Sequence, residues 1–501
     1  MLHVAQRLRH VCVFRCLKVL DQFAAYVEDT IRLRPSLELR VGFRSESTNG
    51  WNEVHGRAAN HLFDANQVVL TQPTVGNSVF AENKAKFLPA PRVGLAWSPF
   101  GSKKTVIRAG FGLYYALNDA LSYRLDQVGP FNSVYAVKNL SFSSISPAAT
   151  YAAAKVVPSG VQSDLQTPAV ESYTLKIERE LFANTNLSVA YIGSHGYHGI
   201  LSVDANVPVP AICPASPCPA NYPAGTWYNP AGAPLANNAV LNTTHWLSEG
   251  FSSYNGLEID VNHRFSRGLQ FRGVYTFSKA LDDGDSLNTS VATNSPAFAS
   301  NPLRPRWDYG PGSFDIRHTA VINATYDLPF FRASAGAHRW LRAFFADWQL
   351  SGIETLQSGL PFTPQLSYNP SNDGDSRNSV RPSLNPNFRG PVILGRADRY
   401  FDPSAFLQPL PGTYGNAGRN ILRGPSLAQT DLSLSKRFLL SEHIHLQFRA
   451  ESFNLLNHTN LNTPNPVVYA SATGGPSPTA GVITSTATTS RQIQLGLKLL
   501  W

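Results

Sequence analysis

Few side chains in this sequence could do chemistry, and none of them stands in a catalytic pattern. Ser194 and His195 are adjacent, but a nucleophile elbow needs G-x-S-x-G between a strand and a helix. Segment 193–196 reads GSHG and lacks that spacing. The sequence also contains neither a phosphate-binding loop nor a dinucleotide-binding glycine pattern. It therefore predicts a protein that is not an enzyme and that needs no cofactor.

Two kinds of residues could contact a metal ion. His443 and His445 lie two apart and would share one face of a strand, but no third ligand follows at a zinc-like spacing. Several loop aspartates resemble calcium ligands, although the EF-hand spacing with its closing Glu is absent. These aspartates are Asp282, Asp283, Asp285, Asp373 and Asp375. We expect a polar strand face for the histidines, solvated turns for the aspartates, and no metal.

Two of the four cysteines could form a disulfide. Cys213 and Cys218 lie five apart in the Pro-rich stretch AICPASPCPA, and such a pair can close in an oxidising compartment. Zinc is a poor alternative, because no further ligand stands nearby. Cys12 and Cys16 receive no predicted role.

The composition favours many strands and long loops. Of 501 residues, 42 are Lys or Arg and 33 are Asp or Glu, which gives a net charge of +9. Charged residues make up only 15%, below the roughly 25% of ordinary soluble domains. The basic residues are spread along the chain without the clustering that phosphate binding needs, so nucleic acid is not an expected partner.

The N-terminus differs from the rest of the chain. Residues 1–21 are basic and only partly apolar, and Arg15 and Lys18 interrupt the apolar stretch. This atypical segment makes a poor signal peptide. No stretch in the sequence approaches 18 apolar residues, so no transmembrane helix is expected. The remaining residues, 22–501, are expected to form the structured unit.

Alternation of apolar and polar residues is the main signal in the sequence. Residues 257–265 read LEIDVNHRF and residues 269–278 read LQFRGVYTFS, with apolar side chains at every second position. That period indicates a strand with one apolar face. The short Gly-containing link between them predicts an antiparallel hairpin.

The same unit recurs along the chain and predicts about 13 strands. The further strands are expected at 22–33, 36–46, 92–100, 104–116, 171–182, 187–195, 315–328, 346–358, 429–438, 443–453 and 490–501. Long, polar connections separate the hairpins, at 47–91, 117–170, 196–254, 279–314, 359–428 and 457–489.

Short turns that alternate with long loops are typical of a transmembrane barrel. Many of the runs reach 9–13 residues, which is longer than the strands of a soluble sandwich and long enough to cross a bilayer. The sequence therefore predicts an all-β, antiparallel transmembrane β-barrel of the outer-membrane type, with long extracellular loops.

The strand count predicts a partial barrel of about 13–14 strands. Complete outer-membrane barrels normally have an even number of strands and both termini in the periplasm. The last strand runs towards the periplasm, and strand direction alternates through the short turns and long loops that precede it. Counted back in this way, the strand at 22–33 also runs towards the periplasm, so the chain would enter it from the outside. Because hydrocarbon does not tolerate open sheet edges, we expect the native unit to need sequence upstream of Met1.

The last strand reads RQIQLGLKLLW and ends on an aromatic residue. One face carries its apolar side chains, which are Ile493, Leu495, Leu497, Leu499 and Trp501. This pattern resembles the C-terminal signal by which the barrel-assembly machinery recognises outer-membrane barrels, and that machinery and outer-membrane lipid are the expected partners.

Several segments resemble the barrel region of TonB-dependent receptors of the Oar-like kind. They lie at 92–115, 171–196, 254–283, 314–330, 348–363 and 445–460, and the resemblance covers most of the chain from about residue 22. It implies energised uptake or export of a bulky substrate across the outer membrane of a Gram-negative bacterium. Full-length members also carry a plug domain and a TonB box upstream. This sequence lacks both, so contact with the TonB complex would depend on them.

The resemblance implies that the polar strand faces line the lumen and that the apolar faces contact lipid. Gln447, Arg449 and Glu451 share a polar face that would line the lumen. Aromatic residues on apolar faces or near strand ends would form girdles at the bilayer interfaces. These are Tyr191, Tyr275, Phe277, Trp348 and Trp501.

Two further readings remain open. One is an outer-membrane structural or adhesion barrel without transport. The other is a soluble secreted β-rich binding protein, which the apolar strand faces argue against. Neither the substrate nor the loop residues that would bind it can be read from the sequence.

Overall fold

We describe the fold from a computed structural model. It describes residues 8–11, 18–99, 104–117, 128–136, 154–214, 218–219, 221–284, 298–329, 344–375, 377, 380–441 and 443–501. Cys12, Cys16 and Asp285 lie outside these residues.

One antiparallel sheet of long strands dominates the structure. Its strands are β1 (Leu8–Val11), β2 (Lys18–Arg34), β3 (Leu37–Thr48), β4 (Leu88–Trp97), β5 (Thr105–Tyr115), β6 (Ala169–Phe182), β7 (Thr185–Val203), β8 (Thr244–Ser266), β9 (Leu269–Asp282), β10 (His318–Asp327), β11 (Trp348–Gln357), β12 (Leu427–Leu439), β13 (His445–Phe453) and β14 (Gln492–Leu500). Each pairs antiparallel with the next in chain order.

Short elements lie in the long connections. Short strands occupy Asn52–Glu53, Ala58–Asn60, Thr74–Gly76, Tyr135–Ala136, Lys155–Val156, Ser159–Val161, Ala211–Ile212, Trp227–Tyr228, Gly310–Pro311, Pro361–Phe362, Gln365–Leu366, Ser383–Leu384, Ile393–Arg396, Arg399–Phe401, Phe406–Leu407, Leu422–Arg423 and Val467–Tyr469. Short 3-10 helices occupy Pro305–Asp308 and Pro403–Ala405. The helices within the described ranges are too short or too polar to span a membrane.

The predicted all-β fold is confirmed, and each of the 13 predicted strands is present. β1 adds a fourteenth strand inside segment 1–21, where no strand was expected. The connection predicted at 196–254 is too long, because β7 continues to Val203 and β8 already begins at Thr244. At the end of β7, Leu201, Ser202 and Val203 are all buried, so successive side chains on both faces are covered and the alternation is lost.

Backbone geometry explains the tight turn between β8 and β9. Arg267 and Gly268 have φ values of 51° and 84°, and a two-residue hairpin turn of this hand matches the twist of the flanking strands. Glycine adopts positive φ without a steric penalty. The turn pairs Ser266 with Leu269, and a one-residue irregularity between His263 and Ser266 then sets the register in which Ile259 lies opposite Tyr275.

The register gives the sheet one apolar and one polar face. Leu497 lies opposite Phe448, and Leu499 lies opposite Leu446, so these side chains point to the same side. Leu495 and Leu497 are 69% and 71% exposed. Because no second layer of protein covers them, they are free to meet hydrocarbon, and burying each one there contributes about 1.5–3 kcal/mol.

One charged residue on the apolar face is shielded by its neighbours. Lys436 lies opposite Trp348 and Phe448 on this face, close to the short-turn end of the sheet. Its Nζ donates to the carbonyl oxygen of Ala346 and lies 4.9 Å from the ring centre of Phe438 and 5.6 Å from that of Trp348. Contact with aromatic faces stabilises the ammonium where water is scarce.

The sheet has two free edges within the described residues. β1 pairs with β2 alone, and it covers only positions 19–22 of β2. β14 pairs with β13 alone. The structure therefore leaves the outer edges of Phe23–Arg34 and of β14 without strand partners among the described residues.

We expect Leu497→Arg to lower the free energy of unfolding in phospholipid vesicles by about 2–4 kcal/mol, because the charge would enter hydrocarbon. The matched control is Gln494→Arg on the polar face of the same strand, which should change it little. Urea titrations followed by tryptophan fluorescence measure both variants. Equal losses in the two would contradict the assignment of the faces.

Candidate functional site

Ion pairs between neighbouring strands line the polar face of the sheet. Glu178 of β6 pairs with Arg108 of β5 and with Lys176 at 3.2 Å. Asp260 of β8 accepts hydrogen bonds from Arg272 of β9 at 2.8–3.2 Å. Cross-strand pairs of this kind contribute roughly 0.2–1 kcal/mol each. The polar face is thus hydrated and carries charges of both signs, and we call it the polar wall.

A pocket of about 460 Å³ lies on this wall near the short-turn end. Charged residues of both signs contribute to its lining, namely Lys104, Lys176, Glu178, Arg179, Glu180, Asp260 and Arg264. Ligand sites for apolar compounds are lined mainly by apolar side chains. The wall suits water and polar solutes instead.

The polar residues predicted near the C-terminus lie on the same face. The register places Gln447, Arg449 and Glu451 there, with Arg449 Nη1 3.6 Å from Glu451 Oε1. His445 shares this face, whereas His443 lies exposed ahead of β13. Among the residues that the structure describes, no group of three or more His, Cys, Asp or Glu is arranged to hold a metal ion.

Ser194 and His195 lie inside β7, not at a strand-to-helix turn. Ser194 lies opposite Tyr254 and His195 opposite Ser253, so the two side chains point to opposite faces. The arrangement provides no nucleophile with an adjacent base.

Two apolar clusters pack in the long connections, away from the short turns. The first loop cluster consists of Phe362, Leu366, Tyr400, Phe401, Ala405, Phe406, Ala417, Leu422, Val468, Tyr469 and Ala480. The second loop cluster consists of Trp51, Ala58, Ala59, Val79, Val128, Val161, Leu165 and Trp246. The long loops are therefore packed structures with cores of their own.

Buried ion pairs fasten the loop between β11 and β12 to the loop between β9 and β10. Arg381 Nη2 lies 2.7 Å from Asp308 Oδ1, and both side chains are nearly inaccessible to water. Arg419 pairs with Asp282 in the same way. We call the pairs Arg381–Asp308, Arg419–Asp282 and Arg423–Asp315 the arginine clasp.

Burial of the loop aspartates corrects the prediction of solvated turns. Asp282 and Asp283 are 5% and 7% exposed, and Asp373 and Asp375 are 0% and 6% exposed. They are buried because each has arginine, hydroxyl or backbone partners that compensate the lost water. Sequence inspection could not find these partners, since Arg419 and Asp282 are 137 residues apart.

A second polar network joins the loop between β7 and β8 to the one between β11 and β12. Tyr414 Oη donates to Asp373 Oδ2 at 3.2 Å, and Arg377 Nε donates to Asp375 Oδ1 at 2.8 Å. Arg377 Nη2 also donates to the carbonyl oxygen of Thr243 at 2.6 Å. Burial raises the pKa of Asp204 in this network, and the nearby charge of Asp375 raises it further.

Asp283 is a buried loop carboxyl whose pKa is raised. Burial raises its pKa to about 6, although the Phe251 N–H and the charges of Arg419 and Arg306 act in the opposite direction. The carboxyl lies just beyond the end of β9, outside the part of the strand that the apolar face covers.

The structure joins Cys213 to Cys218 by a disulfide, with their Cα atoms 5.4 Å apart. The adjoining strands Ala211–Ile212 and Trp227–Tyr228 pair with each other. The Asn229 N–H donates to Gly412 O at 2.8 Å. This loop is therefore held against the loop between β11 and β12.

The residues predicted to form the C-terminal signal and the girdles occupy the expected faces. Ile493, Leu499 and Trp501 are 70%, 48% and 91% exposed. Tyr191, Tyr275 and Phe277 are also exposed on the apolar face, while Trp348 lies at the short-turn end. Their roles as an assembly signal and as girdles stay predictions.

A family model described as "Outer membrane beta barrel domain" matches residues 18–494. Among solved structures, the chain is similar to the ferric-catecholate import receptor Fiu from E. coli K12, with 11% identity, a TM-score of 0.42, and coverage of 97% of this chain and 45% of that chain. It is also similar to a variant of the ferric enterobactin receptor PfeA from Pseudomonas aeruginosa, with 13% identity, a TM-score of 0.47, and coverage of 96% and 45%.

A third similar structure is the outer membrane transporter YddB from Escherichia coli, with 11% identity, a TM-score of 0.44, and coverage of 98% of this chain and 57% of that chain. The chain thus spans about half the length of these proteins. No curated protein sequence matches it significantly.

We expect Arg381→Met to lower the free energy of unfolding by about 3 kcal/mol, because it leaves the buried Asp308 carboxylate without its counter-ion. Arg396 is the matched control, since its ion pair with Asp398 is exposed, and Arg396→Met should cause no measurable change. Urea titrations compare the two variants. A loss in Arg381→Met no larger than in Arg396→Met would contradict the clasp.

We expect Asp283 to make the loops less stable as pH rises from 4 to 6. Its folded pKa is about 6, above the ordinary 3.8, so the folded state binds more protons in this window. Asp283→Asn keeps an acceptor for the Phe251 N–H. The melting temperature of this variant relative to the wild type should therefore increase as pH rises from 4 to 7.

Asp398→Asn is the control for this titration. Arg396 lowers the pKa of Asp398, so that variant should show the opposite trend or none. A constant difference between wild type and Asp283→Asn across this pH range would argue against a raised pKa.

Proposed function

Because this chain belongs to the outer membrane β-barrel domain family and lies in the outer membrane of a Gram-negative bacterium, we propose that it forms the later strands of a TonB-dependent transporter barrel. The two-faced sheet carries this proposal. Its exposed apolar face fits lipid, and its charged, ion-paired face fits a water-filled lumen. The resemblance of six sequence segments to Oar-like receptors supports transport over a purely structural role.

We propose that further strands of a longer polypeptide close the two free edges. Each unpaired backbone N–H or C=O in hydrocarbon costs several kcal/mol, and the edge of Phe23–Arg34 alone presents many of them. Strands beside β2 and β14 would satisfy these groups. The polar face would then surround a plug domain of the kind that full-length Oar-like receptors carry.

We propose a bulky, polar nutrient as the substrate, such as a glycan, a peptide or a siderophore. The wall pocket of about 460 Å³ is lined by charged and amide side chains, and these can exchange hydrogen bonds with a hydrated solute. The packed loops would restrict entry from outside. Energy would reach the barrel through the plug and the TonB complex.

Growth tests in the native bacterium distinguish transport from adhesion. One strain lacks this gene and another lacks TonB, and both grow on oligosaccharides, oligopeptides or ferric siderophores as the sole source of carbon, nitrogen or iron. We expect both strains to lose growth on the same compound. Normal growth on all of them, with loss of surface attachment in the first strain, would favour the adhesion barrel and refute transport.

A variant on the inner wall sharpens the test. Arg272→Glu places a second acid beside Asp260 on the lumen face and should lower uptake several-fold at unchanged protein abundance. Arg396→Glu, at an exposed loop ion pair, is the matched control and should restore growth as the wild type does.

A further inference from the structure

Two histidines are buried beside the second loop cluster, and each has a ring nitrogen without a partner. His61 and His245 are both 1% exposed, and Nε2 of each makes no hydrogen bond with any described residue. His61 Nδ1 lies 3.2 Å from the carbonyl oxygen of Leu70. Since a carbonyl only accepts, Nδ1 carries the proton and Nε2 is a bare acceptor.

Close packing surrounds His245. It lies in the first residues of β8, far from the apolar part of that strand. The ring of Phe63 meets it edge-on, with the ring centres 4.7 Å apart, and Gly160 lies opposite it in the parallel pair with Ser159–Val161. A Cβ added at Gly160 would lie 2.9 Å from His245 Nδ1 and 2.6 Å from the carbonyl oxygen of His61. The space between Gly160 and the two histidines is therefore too small to hold an ionic partner for His245.

Neutral hydrogen bonds complete the contact. Asn60 Nδ2 donates to the carbonyl oxygens of Val79 and Val161 at 2.9 and 2.8 Å. Asn60 Oδ1 accepts from the Val161 N–H at 3.0 Å. Segment 51–79 is thereby tied to Ser159–Val161 and, through that strand, to the start of β8.

We propose that His61 and His245 form an acid-sensitive latch, which holds segment 51–79 against the start of β8 and releases it when the medium becomes acidic. The proposal rests on buried, partnerless ring nitrogens in an apolar contact. It does not depend on the identity of a transported substrate.

The surroundings offer no compensation for a charged imidazole. His61 is the group whose charge acts on His245, and two imidazolium ions repel each other. Ser159, Gly160 and Val161 do not titrate, and neither does Val203, which lies opposite His245 in the pair with β7. Glu53 in the tied segment accepts from the His55 and Arg57 N–H groups through Oε2, and its Oε1 faces Arg57 Nη2 at 3.5 Å.

The direction of the pH effect follows from linkage. Burial, followed by the charge of His61, lowers the pKa of His245 to about 3 from the ordinary 6.5. The released state therefore binds more protons between pH 6.5 and pH 3, and the latch weakens as pH falls through that window. One such group raises the ratio of released to closed states roughly 100-fold between pH 7.5 and pH 4.5.

Hydrogen–deuterium exchange of the purified protein in detergent tests the latch. Protection of peptides from 51–79, corrected for the intrinsic exchange rate, is compared at pH 7.5 and pH 4.5. We expect at least a tenfold loss of protection in the wild type at pH 4.5. In His245→Leu, which replaces the ring by an apolar side chain, the loss should be at least tenfold smaller.

His458→Leu is the matched control, because the His458 ring has a partner in Asn460 at 3.1 Å, and it should respond to pH as the wild type does. Peptides from Phe401–Phe406 in the first loop cluster serve as the internal reference. Unchanged protection of 51–79 in the wild type would overturn the proposal, whether or not the variant folds. An equal loss in both loop clusters, or an equal loss in His245→Leu, would overturn it as well.

Discussion

The need of every backbone N–H and C=O group for a partner inside hydrocarbon governs this structure. A sheet meets that need only through unbroken ladders between adjacent strands. The ladders run from β1 to β14 in chain order, with registers such as Val189 opposite Ile259 and Ile259 opposite Tyr275. Because side chains alternate along a strand, the same ladders decide which residues meet lipid and which meet water.

Charges are treated differently in the two regions of the molecule. On the polar wall, pairs such as Arg272–Asp260 remain partly exposed and keep their contact with water. In the loops, Arg381 and Asp308 are almost fully buried. A buried pair holds its geometry because losing one partner leaves an uncompensated charge. The ion pairs of the polar wall can therefore exchange partners with water, whereas the loops are held by a few specific buried contacts.

The loops and the strand ends beside them also contain buried titratable groups whose charge is not compensated. Asp283 has its pKa raised by burial, and His245 has its pKa lowered by burial. Asp283 lies just after the end of β9 and His245 lies at the start of β8, and their titrations act on stability in opposite directions. Such groups reduce stability, so their presence outside the bilayer points to loops that respond to their medium and not to a uniformly rigid cover.

The positions of the strands and their apolar faces follow from local sequence alone. Alternation depends only on neighbouring residues, so the run from Leu257 to Phe265 and the run before Trp501 could be assigned without any knowledge of contacts. The short Gly-containing turns then fixed the hairpins. β1 was not predicted, because four residues are too few to show an alternation of apolar and polar side chains.

The environment of the loop residues depends on contacts between distant parts of the chain. Asp282 and Asp373 read as solvated turn residues because the arginine and tyrosine that compensate them stand far away in the chain. The same is true of His61 and His245, which come together across the Ser159–Val161 strand. Burial by distant partners leaves no local periodicity, so partners 41 residues apart, as in Tyr414–Asp373, or 137 apart, as in Arg419–Asp282, become visible only when the chain has folded.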